Sequence, residues 1–178
     1  MGRLLLIPPV LICVNQRDPV LNFCAMAMFL FASLLDIVDG WLARMRGLVT
    51  FFGKFVDPLV DKIMAMALLV YFVADGILDA WLVVVLLSRE FYMSGLRTMA
   101  IGESIEIVAD AGGKAKTSFQ LIGISFILVY YSYRTPFGGW INFYHVGLVL
   151  VYASMIISIY SAIRYTQGFI RQLAEKVD

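Results

Sequence analysis

Long apolar runs and short polar breaks alternate along the chain. Val20 to Leu35, Ile63 to Ala74, Ala80 to Leu87, Phe119 to Tyr131 and Val146 to Ile163 are largely free of charge. A helix that crosses a bilayer needs about 20 mostly apolar residues, and several of these runs reach that length with their flanks. Breakers separate them: Asp18-Pro19, Gly47, Gly53, Asp75-Gly76, Gly112-Gly113, and Pro136 to Gly139. The pattern predicts an all-α, polytopic membrane protein with six transmembrane helices in a single domain, 1–178. The expected spans are 3–16, 19–46, 54–74, 77–100, 113–133 and 140–165. The polar tail from Thr166 to Asp178 is expected to continue the last helix along the membrane surface. The first span is short, and a chain start further upstream would lengthen it. No repeat and no low-complexity segment interrupts the series.

Composition sharpens this reading. Hydrophobic residues make up 61% of the 178 residues, and the mean hydropathy is +0.86. Soluble domains are about 45–50% apolar, and so small a chain cannot bury this excess without lipid. The net charge of +1 gives no footprint for nucleic acid. Cys13 and Cys24 lie in apolar segments outside any ligand pattern and read as small hydrophobes. The opening Leu4 to Val14 run is interrupted by Pro8 and Pro9 and lacks a small-residue cleavage site, so it reads as a span rather than a signal peptide. Leu6 stands where a myristoylation pattern needs Ser or Thr.

The cations set the expected orientation. Six spans place both termini on one side. That side collects Arg3, Arg44, Arg46, Lys54, Arg97, Lys114, Lys116, Arg164, Arg171 and Lys176, against Arg17 and Arg134 opposite. The termini and the loops at 45–53 and 101–112 are therefore expected in the cytoplasm.

Four carboxylates sit where apolar residues are expected. Asp36 and Asp39 are on the second helix, Asp57 and Asp61 on the third. A charge at the bilayer centre costs roughly 2.5–3.5 kcal/mol on insertion scales, and four acids together also repel one another, so cations must compensate. Spacings of i, i+3 and i, i+4 put each pair on one helix face. A short connector lets the two faces meet. The result is a set of hard oxygen ligands suited to Mg2+ or Mn2+ rather than zinc. Gly40 and Ala43 thin the second helix, which admits a flat nucleotide base or, equally, a close helix neighbour. Arg44 can make a charge-assisted contact to a phosphate.

Taken together these residues form Asp36-Ile-Val-Asp39-Gly40-Trp-Leu-Ala43-Arg44, eight residues, then Gly53-Lys-Phe-Val-Asp57-Pro-Leu-Val-Asp61. The segment resembles the signature of the CDP-alcohol phosphotransferase family, D-x-x-D-G-x-x-A-R-x8-G-x3-D-x3-D, at all eight fixed positions. The resemblance implies a membrane enzyme that moves a phosphatidyl group from a CDP-lipid to an alcohol. Its active site would lie in a cytoplasm-facing cleft between helices 2 to 5, in a bacterial cytoplasmic membrane. It implies that Asp36, Asp39 and Asp57 hold two divalent cations, Mg2+ or Mn2+. Asp61 would be the general base and a further metal contact. Gly40, Ala43, Arg44 and Gly53 would border the CDP-lipid. Relatives of this kind are commonly homodimers. The family begins with a longer amphipathic segment ending in Thr-x-x-Arg, and here Arg3 stands in its place.

The acceptor is a finer matter. Ser88-Arg89-Glu90-Phe91, Gly95-Leu96-Arg97 and Gly113-Lys114-Ala115-Lys116-Thr117 resemble the branch of the family whose acceptor is glycerol 3-phosphate. A doubly charged phosphate needs several cations, and Arg89, Arg97, Lys114 and Lys116 are the expected set. Arg89, deep in an apolar run, has a second reading as an internal ion pair with Glu90 or a signature Asp. The expected substrates are CDP-diacylglycerol and glycerol 3-phosphate among membrane lipids. Serine, inositol phosphate or phosphatidylglycerol as acceptor is the alternative. An ion or proton transporter explains the acids but not Gly40, Ala43, Arg44 and Gly53. His145 sits in an aromatic stretch with Trp140, Phe143 and Tyr144 that reads as an interfacial belt.

Overall fold

The structure is a computed structural model that describes residues 5–45, 51–103, 111–134 and 139–177, with side chains for all of these except 36–45, 51–62, 111–114 and 177. Six helices account for nearly all of it: α1 (Ile7–Asn15), α2 (Pro19–Met45), α3 (Phe51–Ala74), α4 (Ala80–Gly102), α5 (Ala111–Val129) and α6 (Phe143–Val177). A short antiparallel hairpin, β1 (Ser132–Arg134) and β2 (Trp140–Asn142), joins the last two, with Tyr133 opposite Ile141.

Local chemistry sets the helix ends. Pro8 and Pro9 fall in the first turn of α1, where an amide N–H has no helical partner to lose. The Asp18 carboxylate accepts from the amides of Val20 and Leu21, at 2.9 and 3.1 Å, and caps α2. After α3, Gly76 turns left-handed at φ 71, and Ile77 and Leu78 donate back to the Phe72 carbonyl. That closure delays α4 to Ala80, three residues later than the apolar pattern predicts. Tyr130, at φ 64, likewise ends α5 at Val129, before the expected 133. Asn142 Oδ1 accepts from the His145 amide at 3.1 Å and opens α6.

The first predicted span becomes a nine-residue helix, about 14 Å long at 1.5 Å per residue, too short to cross a core of about 30 Å. The last helix, by contrast, runs 35 residues without a break and takes in the polar tail. Among the described residues one helix is long and apolar enough to cross a membrane by itself, Phe143–Lys176; Pro19–Leu35, Ile63–Ala74 and Ala115–Val129 are shorter apolar segments.

The core draws on all six helices, around Phe29, Leu68, Phe72, Leu82, Ile124 and Leu128. The α5–α6 contact is the closest approach. A Cβ on Gly123 would lie 2.9 Å from Val151 Cγ2, and one on Gly147 would lie 2.7 Å from the Gly123 carbonyl oxygen. Only glycine permits that crossing. The outer faces are apolar as well: Phe23, Phe31, Val84, Phe91, Val149 and Ile156 are all exposed. A surface of this composition is solvated by lipid, not by water.

Candidate functional site

Helix ends define the depth of the site. Arg17, in the α1–α2 turn, pairs with Asp75 at the end of α3, Nη2 to Oδ1 2.8 Å. Tyr131, just past α5, donates to the Arg17 carbonyl. Tyr144, at the start of α6, donates to the Ile77 carbonyl at 3.0 Å, just before α4. One end of every helix but none of the signature therefore lies here. Counting 1.5 Å per residue inward, Asp36 on α2 and Asp57 on α3 fall about 25 Å from this end, and Asp61 about 20 Å. Asp39 falls about 30 Å from it on the same count. Arg89 on α4 falls at about 14 Å and Lys116 on α5 at about 20 Å.

The signature positions thus occupy the far part of α2 and α3. Asp36, Asp39, Gly40, Ala43 and Arg44 belong to α2 and Gly53, Asp57 and Asp61 to α3. Their side chains lie outside the described ones, as does that of Lys114 on α5. Among the described residues no other group of three potential metal ligands occurs.

Of the four cations expected to bind the acceptor, the side chains of Arg89, Arg97 and Lys116 are described, and the structure brings Arg89 and Lys116 together. Glu90 Oε2 accepts from Arg89 Nη1 at 3.4 Å and also from the Lys116 ammonium. The three side chains are 10%, 12% and 8% exposed for Arg89, Glu90 and Lys116. Arg89 Nε donates to the Ser158 carbonyl of α6 at 3.0 Å. The cluster therefore ties α4, α5 and α6 together, and α6 joins the four helices expected around the site. Arg97, two turns along α4, is exposed. Of the two readings of Arg89, the structure shows the internal ion pair, with Glu90 as its partner and Lys116 on the same carboxylate.

The cluster carries two positive charges and one negative. Charges taken out of water are repaid only when geometry and hydrogen bonding are complete. Ser158 Oγ, beside the guanidinium's acceptor, is buried without a hydrogen-bond partner. An open groove of about 470 Å3 runs from Ser88, Arg89 and Tyr92 to Ile159, Ala162 and Thr166, between α4 and α6. The bridging role of Glu90 was visible in sequence only as its adjacency to Arg89. The part played by α6 left a fainter mark, the buried serines Ser154, Ser158 and Ser161 spaced four and three apart in an apolar helix.

A family model described as CDP-alcohol phosphatidyltransferase matches residues 1–160. The chain is 40% identical over 116 residues to the CDP-diacylglycerol--glycerol-3-phosphate 3-phosphatidyltransferase of Bacillus subtilis (strain 168), covering 65% of this chain and 60% of that protein. The match thus spans less than two thirds of that relative's length. A protein of the same name from Haemophilus influenzae is 32% identical over 171 residues, 93% of this chain and 87% of that protein. Another from Rickettsia bellii is 28% identical over 128 residues, 72% of this chain and 71% of that protein.

Proposed function

The chain belongs to the CDP-alcohol phosphatidyltransferase family, and from that premise we propose that it transfers the phosphatidyl group of CDP-diacylglycerol to glycerol 3-phosphate, giving phosphatidylglycerophosphate and CMP. The observation that carries the choice of acceptor is the pairing of buried Arg89 and Lys116 around Glu90. The names of the relatives support the same acceptor. In this reading the protein is multi-pass in the bacterial cytoplasmic membrane, with termini and active site toward the cytoplasm, and works as a homodimer.

The chemistry follows from the residue types. The donor set at Asp36, Asp39, Asp57 and Asp61 is all hard oxygen; these residues would hold two Mg2+ or Mn2+ ions, which would neutralise charge on the pyrophosphate and the departing CMP. Gly40 and Ala43 keep α2 thin where the cytidine lies, with Gly53 at its border, and Arg44 contacts a phosphate oxygen. Asp61 accepts the proton of the acceptor hydroxyl as that oxygen bonds to the lipid-side phosphorus. The bond from that phosphorus to the CMP oxygen breaks, and CMP leaves with the electron pair.

Arg89 and Lys116 hold the phosphate of the acceptor, with Arg97 and Lys114 adding charge at the rim. Glu90 keeps the two buried cations paired while the acceptor is absent. The arriving dianion then meets two cations already held in place.

The test is incubation of purified protein with CDP-diacylglycerol and a panel of alcohols, with lipid products identified by mass. Phosphatidylglycerophosphate should dominate. Equal use of serine, inositol phosphate or phosphatidylglycerol would reject this acceptor and leave the family chemistry in place.

A further inference from the structure

The end of the bundle away from the signature holds a partly polar cavity, which the proposed transfer does not use. It measures about 240 Å3 and is lined by Arg17, Asn22, Asp75, Tyr130, Tyr131 and Tyr144, among others. Three independent observations mark it as more than a gap between turns.

The first is an orphaned acceptor. Asn22 is only 4% exposed, yet its Oδ1 has no hydrogen-bond partner. Buried polar atoms are nearly always paired, so an exception calls for a missing partner. The second is backbone strain. Arg17 at φ 53 and Tyr130 at φ 64 are the two non-glycine residues with positive φ among those described, and both line this cavity. Each ends a helix, a place where glycine adopts the same conformation without strain. Their side chains are kept where the backbone would favour none. The third is charge. Arg17 and Asp75 set a cation and an anion side by side at 2.8 Å, while the guanidinium retains donors beyond that bond. The hydrogen bond to Asp75, and then the charge of Asp75, raise the guanidinium above the ordinary arginine value, so it stays cationic at every physiological pH.

The setting is interfacial. Trp140, on the hairpin between α5 and α6, is 72% exposed at this end, as aromatic side chains are at a bilayer boundary. We propose that this cavity binds a phospholipid headgroup whose phosphodiester lies against Arg17 and whose short arm donates an N–H or O–H to Asn22 Oδ1. Ethanolamine and glycerol arms meet that requirement. A choline arm, which has no donor, does not. The inference rests on the membrane reading but not on the transfer chemistry, since its residues are none of those assigned to the reaction.

The experiment is native mass spectrometry of the full chain released from nanodiscs of equal parts phosphatidylethanolamine, phosphatidylglycerol and phosphatidylcholine. Wild type should retain the first two over the third by about tenfold, the worth of one good hydrogen bond. Asn22→Leu keeps the bulk and removes the acceptor, so the preference over phosphatidylcholine should vanish. Arg17→Gly suits the left-handed backbone and removes the cation, so retention of all three lipids should fall. Excess glycerophosphoethanolamine separates sources of the ligand: displacement assigns the headgroup alone, and persistence of the lipid assigns the whole phospholipid. Equal retention of phosphatidylcholine by wild type, or unchanged selectivity in Asn22→Leu, overturns the proposal. A chain that never enters the discs overturns the membrane reading with it, so the two failures are told apart.

Discussion

Two arginine–glutamate contacts in this molecule use the same chemistry in opposite settings. Arg89 and Glu90, with Lys116, lie in the interior of α4 and α5 and are about a tenth exposed. Arg171 and Glu175 lie one turn apart near the end of α6, at 3.1 Å, and are 82% and 63% exposed. The exposed pair costs little to form and contributes little, because water and salt screen it. The buried group is different. An apolar replacement of the same bulk is often as stable or more so, so stability alone does not account for three charges there. The comparison separates charge that the proposed transfer would use from charge that merely solvates a helix end.

The sharpest way to break that distinction is to take away the ions that the acid signature is proposed to hold. Excess EDTA should stop CMP release, and Mg2+ or Mn2+ should restore it. Undiminished turnover in chelator would leave the signature acids without this role. Asp61→Asn should be nearly as severe, with turnover almost abolished while CDP-lipid binding persists. Near-normal rates in that variant would remove Asp61 from proton transfer.

Next in size is the cluster itself. Glu90→Ala removes the carboxylate that Arg89 and Lys116 share in an apolar interior, which should lower stability by about 3–5 kcal/mol, read by thermal unfolding in detergent. A variant as stable as wild type would show that the pairing is not needed there. At the small end, Arg171→Ala should change stability by no more than about 0.5 kcal/mol and turnover by less than about twofold. A large effect would mean that exposure is a poor guide to function in this chain.

How far the sequence foretold this arrangement depends on the kind of interaction. The second helix was expected at 19–46 and is found at Pro19–Met45, because Asp18-Pro19 is a cap and a first-turn proline that any reader of the sequence can see. The end of α5 was missed, since a tyrosine in the left-handed region leaves no compositional mark. The hairpin was missed too: its strands are three residues each, and the segment between them reads only as a helix break. In the site, spacing alone put each Asp pair on one helix face, the rest of the eight-position signature came from the resemblance to the family, and its side chains lie outside the described ones. The Arg89–Glu90 pair was legible because neighbouring charges in an apolar run need each other. The link from Arg89 to Ser158 was not, since its acceptor is a backbone carbonyl 69 residues away, and no side-chain pattern encodes a carbonyl.

The claim that the buried cations receive the acceptor's phosphate is tested most directly by the kinetics of Arg89→Ala with both substrates varied. Losing one charged partner in a buried setting costs roughly 3–5 kcal/mol, so kcat/KM for glycerol 3-phosphate should fall by about two orders of magnitude or more. The KM for CDP-diacylglycerol should change far less. A variant that instead loses affinity for the CDP-lipid while using glycerol 3-phosphate normally would contradict the account.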